Sequence, residues 1–200
     1  NRMVGMKKIK ESIMDMVLYY IQDLHIVKNN RGEQIETDGE MMHTAIFGPP
    51  GCGKTTLSKI IAKIYYGLGF LSKDTFRVVK RSELIGKWIG HSESQTTEIL
   101  NSSLGGVLFL DEAYSMSNGE KPDSFSKASI DLINQFLSEH KKDFVFMIAG
   151  YKKEIEECFF SVNPGLKRRF AIQMEIDPYT PDELLQIFKL KVIDVNWYLD

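Results

Sequence analysis

The sequence predicts an α/β domain built on a doubly wound, parallel sheet. Three observations carry that prediction. Short apolar, β-prone runs alternate with longer stretches of helical periodicity along the 200 residues. Two of the runs, GVLFLDE and FVFMIAG, are apolar on both faces, as strands buried inside a parallel sheet are. A Gly-rich turn, GPPGCGKTT, joins the first run to a helical segment.

The elements follow in order. Ile9, Ile13, Met16, Val17 and Tyr20 recur at helical spacing, which predicts a helix between Val4 and Tyr20. The polar stretch KNNRGEQIETDGE reads as a loop. TAIF is a first strand ending at Phe47, and Lys54 to Tyr66 a helix closed by GLG. TFRVVK is a second strand, and SESQTTEILNSS a helix with Ser92 as its cap. GVLFLDE is the third strand, SKASIDLINQFLSEH a helix, FVFMIAG the fourth strand and AIQMEID the fifth. Pro181 then opens a last helix, a favourable place for a residue without an N–H.

Composition narrows the function. Apolar residues make up 43% of the chain, enough for a packed core. Lys and Arg total 25 against 27 Asp and Glu, a balance of −2, which speaks against a domain built to coat nucleic acid. Cys52 and Cys158 are far apart and outside any C-x-x-C spacing, so a disulfide scaffold or cysteine zinc site is not expected and a reducing, cytoplasmic setting is. His25, His43, His91 and His140 show no metal-ligand spacing. The apolar runs are too short to cross a bilayer, no signal-peptide pattern opens the chain, and no membrane partner is expected. The chain starts on Asn1 and ends within a helical pattern, as a piece of a longer protein would.

The turn matches G-x-x-x-x-G-K-[ST], with Gly48, Gly53, Lys54 and Thr55 in the fixed places. Such a loop turns backbone N–H groups toward phosphate oxygens, so Pro49, Pro50, Gly51, Cys52 and Thr56 join it as nucleotide-binding residues. Lys54 would reach the β- and γ-phosphates, and the Thr55 hydroxyl would ligate Mg²⁺. Asp111, at the end of an apolar strand, is placed to hold Mg²⁺ as well, and Glu112 to polarise the water that attacks the γ-phosphate. ATP and Mg²⁺ are the expected cofactors. Cys52 inside the loop would make binding sensitive to oxidation if its thiol were accessible.

With GPPGCGKTT and LFLDEA as its Walker A and Walker B elements, the sequence resembles the AAA+ ATPases, ring-forming motors that remodel proteins. ELIGKWIGHSE, GGVLFLDEAYSM, FMIAGYKKEIEECFFSVNPGLKRRF and DPYTPDEL are similar to the branch that holds red-type Rubisco activase and the stage V sporulation protein K. The resemblance implies a P-loop NTPase fold of AAA+ type. A large α/β subdomain would cover residues 1–178, with a five-stranded parallel sheet flanked by helices. Residues 179–200 would begin a helical lid.

The resemblance also implies roles. Val4 and Gly5 would lie beside the adenine. Lys87, Trp88, Ile89 and Gly90, with Gly86 ahead of them, would form the loop that grips a polypeptide in the central pore. GLKRRF would carry the arginine finger that reaches a neighbouring subunit's γ-phosphate, Arg169 first and Arg168 second. Tyr151 holds the sensor place at the end of the fourth strand, where the wider family usually has Asn. The implied protein is a homo-oligomer, a hexameric ring, acting on a protein substrate and not on nucleic acid. Competing readings on the same motifs are a nucleic-acid motor or loader, a nucleotide-dependent scaffold switch, and a P-loop kinase. The charge balance weighs against the first, and intact Lys54, Asp111 and Glu112 against the second. The base beside a metal ligand weighs against the third.

Overall fold

In the computed structural model, which describes residues 3–26, 41–85, 91–117 and 124–197, five parallel strands form one sheet. They are β1 (Thr44–Phe47), β2 (Phe76–Val79), β3 (Val107–Leu110), β4 (Val145–Gly150) and β5 (Ile172–Glu175), in the spatial order β2-β3-β4-β1-β5. The three inner strands are buried along their whole length, while β2 and β5 at the edges are partly exposed. That difference follows from the residues. TAIF, VLFL and VFMIAG have no charged side chain to send to water, whereas β2 and β5 carry Arg77 and Glu175. The one polar side chain in β1, Thr44, is satisfied inside: its hydroxyl donates to the Met42 carbonyl at 2.9 Å and lies 3.0 Å from the Tyr65 hydroxyl.

The helices are α1 (Lys7–Ile21), α2 (Lys54–Gly67), α3 (Arg81–Leu84), α4 (His91–Ser102), α5 (Ser124–Glu139), α6 (Lys152–Ile155), α7 (Pro164–Arg169) and α8 (Pro181–Asp194). Side chains alternate across the sheet, so each strand feeds two cores. Val107, Phe109 and Met147 pack with Ile9 of α1 and Leu57, Ile61 and Tyr65 of α2. Leu108, Leu110 and Phe146 pack with Leu100 of α4, Ile133 and Leu137 of α5, and Phe159.

The expected strands and long helices are all present, with ends shifted by a few residues. Helix α4 begins at His91, so Ser92, expected as its cap, lies inside the first turn instead. Short elements were not anticipated: α3, α6, α7, a 3₁₀ turn at Ala113–Met116 and a π turn at Glu156–Phe160. Four to six residues do not complete enough turns for a 3.6-residue period to show. Helix α7 is set by Asn163, whose Oδ1 accepts from the Gly165 N–H at 3.0 Å with Pro164 following. Helix α8 opens at Pro181, and a reciprocal cap closes its start: Thr180 N–H donates to Glu183 Oε2 at 2.8 Å and Glu183 N–H to Thr180 Oγ1 at 3.3 Å. Only Val192 of α8 is buried, and Leu184, Leu185, Phe188 and Ile193 are exposed.

His43, just ahead of β1, makes the core sensitive to acid. It is fully buried beside Phe144 and Phe170, and its Nδ1 accepts the Phe146 N–H at 3.1 Å. Burial, with a smaller push from Arg169, lowers its pKa from 6.5 to about 4, against an opposing pull from the Leu137 backbone. The folded value is the depressed one, so the unfolded chain takes up this proton first as pH falls. Stability is therefore full above pH 6.5 and is lost between pH 6.5 and 4. The loss should reach roughly 3 kcal/mol. Urea melts across that window should show it, and His43→Gln should flatten the slope.

Candidate nucleotide-binding and catalytic site

Strands β1, β4 and β3 lie side by side, with Phe47 paired to Gly150 and Leu110 to Ile148, so their carboxyl ends open on one edge. The chain leaves β1 into the Gly-rich turn, β4 into Tyr151 and β3 into Asp111 and Glu112. The sheet order thus brings the turn to face the acidic pair across Tyr151. Together they line a cavity of about 350 Å³: Pro50, Gly51, Gly53, Lys54, Thr55 and Thr56 on one side, Asp111, Glu112 and Tyr114 on the other, and Gly150 and Tyr151 between. A slightly larger hollow, about 410 Å³, lies at the amino end of β4 between Tyr20, Phe70 and Phe144, far from these groups in the sheet.

Local backbone needs explain the glycines. Gly51 and Gly53 have φ of +74° and +93°, a region other residues enter only with strain. A side chain at Gly48 would meet Cys52 Sγ at 2.9 Å and Ile176 Cβ at 3.2 Å. Helix α2 starts at Lys54, and no side chain caps it at Gly53, so its first N–H groups and its positive end face the cavity edge. The turn is therefore an anion cradle by construction.

Lys54 Nζ donates to the carbonyls of Gly48 at 2.9 Å and Pro49 at 2.8 Å, and it lies 6.0 Å from the centroid of the Tyr151 ring. The loop thus folds around its own cation. Thr55 Oγ1 donates to Asp111 Oδ2 at 3.4 Å, which brings two hard oxygens from opposite walls together. Among the described residues no three His, Cys, Asp or Glu side chains group into a metal cage. A hydroxyl beside a single carboxylate is instead the donor set of a Mg²⁺ ion that keeps waters and shares phosphate oxygens. The residues fit that ion, which Thr55 and Asp111 would hold.

Glu112 is exposed, with φ 53° and ψ 49°, and its N–H turns back to Asp111 Oδ1 at 3.1 Å. A left-handed, non-Gly residue costs about 1–2 kcal/mol, and such strain gathers at functional sites. Tyr114, one turn on, lines the same wall. Its phenol is pushed up by burial and then by the nearby Glu112 carboxylate. Its ring also explains Gly150, where a Cβ would sit 2.9 Å from Tyr114 Cδ1. Tyr114 stands in the LDEAYS run and was missed because nothing in a sequence tells a wall tyrosine from a core one.

The remaining expected residues fall into place unevenly. Gly5 lies under the start of α8, its Cβ position 2.6 Å from Glu183 Oε1 and 3.3 Å from Tyr179, and the neighbouring Met6 approaches Gly53. Val4 beside it is half-buried and, like Gly5, does not line the cavity. Cys52 is buried, with its sulfur against Gly48, so the loop thiol is shielded. Lys87, Trp88, Ile89 and Gly90 lie outside the described residues.

Arg168 and Arg169 sit on α7, away from the cavity. Their surroundings differ. Arg169 is tied down within its own chain: Nε donates to Ser138 Oγ at 2.8 Å, a second guanidinium N–H reaches the same oxygen, and Nη1 donates to the Gly165 carbonyl at 2.7 Å. Arg168 is exposed and makes no hydrogen bond or ion pair with the described residues.

Comparisons with known proteins agree with this geometry. The family described as "ATPase family associated with various cellular activities (AAA)" matches residues 44–178. A cfxQ-like protein of Acanthamoeba polyphaga mimivirus is 46% identical over 199 residues, covering 100% of this chain and 47% of the relative. Stage V sporulation protein K of Bacillus subtilis is 34% identical, covering 98% and 59%. The chloroplastic ribulose bisphosphate carboxylase/oxygenase activase of Cyanidioschyzon merolae is 32% identical, covering 98% and 66%. The chain therefore spans about half to two thirds of the length of these relatives. Among solved structures, the FIGL-1 AAA domain in complex with ADP superposes with a TM-score of 0.62 at 19% identity, over 96% of this chain and 59% of that one.

Proposed function

Because the chain belongs to the AAA family of ATPases, in the branch of the CfxQ, Rubisco activase and stage V sporulation K proteins, we propose that it binds ATP with Mg²⁺ and hydrolyses it to remodel a protein client as one subunit of a ring. One observation carries the reading: a phosphate cradle and an acidic strand end share one cavity, with Thr55 Oγ1 on Asp111 Oδ2 across it.

Each residue has a task. The N–H groups from Gly51 to Thr55 and the start of α2 bind phosphate oxygens. Lys54 neutralises the β- and γ-phosphates. Thr55 and Asp111 hold Mg²⁺, which when bound withdraws charge from the phosphate oxygens. Glu112 accepts a hydrogen bond from the attacking water, and the Tyr114 hydroxyl steadies that carboxylate. Tyr151, between the two walls, orients water or the terminal phosphate with its phenol. Arg168 stabilises transition-state charge on the neighbouring subunit's nucleotide, and Arg169 holds α7 in place. Val4 and Gly5 flank the base. Residues 1–178 form the large subdomain and 179–200 begin the lid, which accords with the exposed apolar face of α8.

Lys87 to Gly90 form the pore loop, with Trp88 and Ile89 gripping the client by apolar contact that ignores sequence. A polypeptide client rather than nucleic acid accords with the −2 balance, and among the described residues no helix is long and apolar enough to cross a membrane. Two free cysteines accord with a reducing, cytoplasmic location.

The ring is the decisive point. Light scattering of the full-length protein should show assembly when a non-hydrolysable ATP analogue and Mg²⁺ are added together, and dissociation on chelation of the metal. A lasting monomer would overturn the motor reading. In assembled protein, Trp88→Ala should leave ATP hydrolysis intact and stop the processing of an unfolded model protein.

A further inference from the structure

The hinge ahead of α8 carries a contact to the phosphate loop that no loop motif requires. After β5, the chain makes one more sheet bond, from Ile176 N–H to the Phe47 carbonyl at 2.8 Å, and then passes behind the Gly-rich turn. There the Tyr179 hydroxyl donates to the Cys52 carbonyl at 2.9 Å. Tyr179 is not part of the cavity wall, whereas Gly53 is. The tyrosine therefore holds the loop from its outer side.

A peptide unit is planar and trans, so the C=O of Cys52 and the N–H of Gly53 point in opposite directions. Gly53, at φ +93°, can rotate freely enough to lose this orientation if nothing anchors it. With the Cys52 carbonyl fixed outward, the Gly53 N–H is turned away from Tyr179, to the cavity side. We propose that Tyr179 is a positioning residue for phosphate binding: its hydroxyl keeps the Gly53 N–H aimed at the phosphates and ties nucleotide affinity to the hinge that leads into α8. This rests on the reading that the cavity holds nucleotide phosphates.

The surroundings lock the tyrosine. Its Cδ1 packs 3.3 Å from the Cβ position of Gly5, which itself has φ +66°. The Glu183 carboxylate both caps α8 at Thr180 and approaches Gly5. Lys8 of α1 pairs with Asp177 at 3.2 Å on the same hinge. Burial, and then Cys52 and Glu183, push the Tyr179 phenol above its ordinary value, so it remains a donor at neutral pH. The sequence hid this role, because the hinge tyrosine and Cys52 are 127 residues apart.

Tyr179→Phe removes the hydroxyl and keeps the ring. Titration calorimetry of the full chain with ADP, inorganic tripolyphosphate and adenosine should show ADP and tripolyphosphate weakened by about fivefold, the size of one neutral hydrogen bond, and adenosine unchanged. The melting temperature should fall by only a few degrees, as for one lost hydrogen bond, while the Gly53 amide resonance shifts and its hydrogen exchange quickens. A purely structural tyrosine would lower the melting temperature but leave that amide and the ADP affinity unchanged. Equal ADP affinity in Tyr179→Phe and wild type would overturn the proposal, as would an equal loss for adenosine, which would put the hydroxyl on the base instead. Wild-type protein that binds neither ADP nor tripolyphosphate would overturn the underlying site reading, and the same titrations tell the two failures apart.

Discussion

Glu112→Gln should lower ATP hydrolysis by at least about 10²-fold, the usual contribution of a positioned general base, with nucleotide affinity unchanged within about twofold. The contrast follows from the division of labour in the cavity. On the proposed reading, binding rests on the Gly-rich turn, on Lys54 and on the start of α2, none of which the substitution touches. Glutamine keeps the length and the left-handed backbone of position 112, so the wall should retain its shape. It replaces the carboxylate, which can take a proton from a water, with an amide that can only accept a hydrogen bond from it. Asp111 is not an equivalent substitute, because its carboxylate is already engaged by the Thr55 hydroxyl and the Glu112 N–H and, on the proposed reading, by Mg²⁺. Single-turnover hydrolysis with fluorescent-nucleotide binding separates the two quantities. A variant that hydrolyses at the wild-type rate would remove Glu112 from the mechanism. If wild-type protein also failed to turn over ATP, the scaffold-switch reading would replace the motor. Assembled variant should instead hold ATP unhydrolysed.

The two walls of this site differ in how legible they were. Phosphate binding demands positive φ and close backbone approach, and only glycine supplies both. Gly51 and Gly53 therefore advertise the cradle in any sequence. The acidic pair was legible because VLFL, buried on both faces, could end only at the carboxyl edge of a parallel sheet. What closes the site was hidden. Tyr114 and Tyr179 differ from other tyrosines only in where the chain returns, and the order β2-β3-β4-β1-β5 is a property of packing among strands that read alike. The short helices α6 and α7 fall below the length at which periodicity speaks, so the facing of the basic pair could not be read from GLKRRF.

That facing leads to the second large effect, a thousandfold or greater loss of hydrolysis in Arg168→Ala with no loss of stability, the scale on which an arginine finger acts. Adjacent residues on a helix point about 100° apart, so Arg168 and Arg169 cannot serve the same surface. The Arg169 guanidinium directs three of its N–H groups to Ser138 Oγ and the Gly165 carbonyl, joining α7 to the end of α5. Ser138 in turn donates to the Asn134 carbonyl at 2.9 Å, so its lone pairs are free to accept from the arginine. Arg169→Ala should therefore cost about 2 kcal/mol of stability, the scale of a charge-assisted hydrogen bond, and lower activity only as far as α7 loosens. Arg168, exposed and without a partner among the described residues, would lose nothing in the folded subunit. A mixing experiment decides whether it acts across subunits. Arg168→Ala protein has an intact cavity but no finger; Lys54→Ala protein has a finger but no working cavity. Each should be inactive alone. Mixed in one ring, they should recover part of the activity, because some interfaces then pair a sound Lys54 with a neighbour's Arg168. Recovery with Arg169→Ala in place of Arg168→Ala, and none with Arg168→Ala, would return the finger to Arg169.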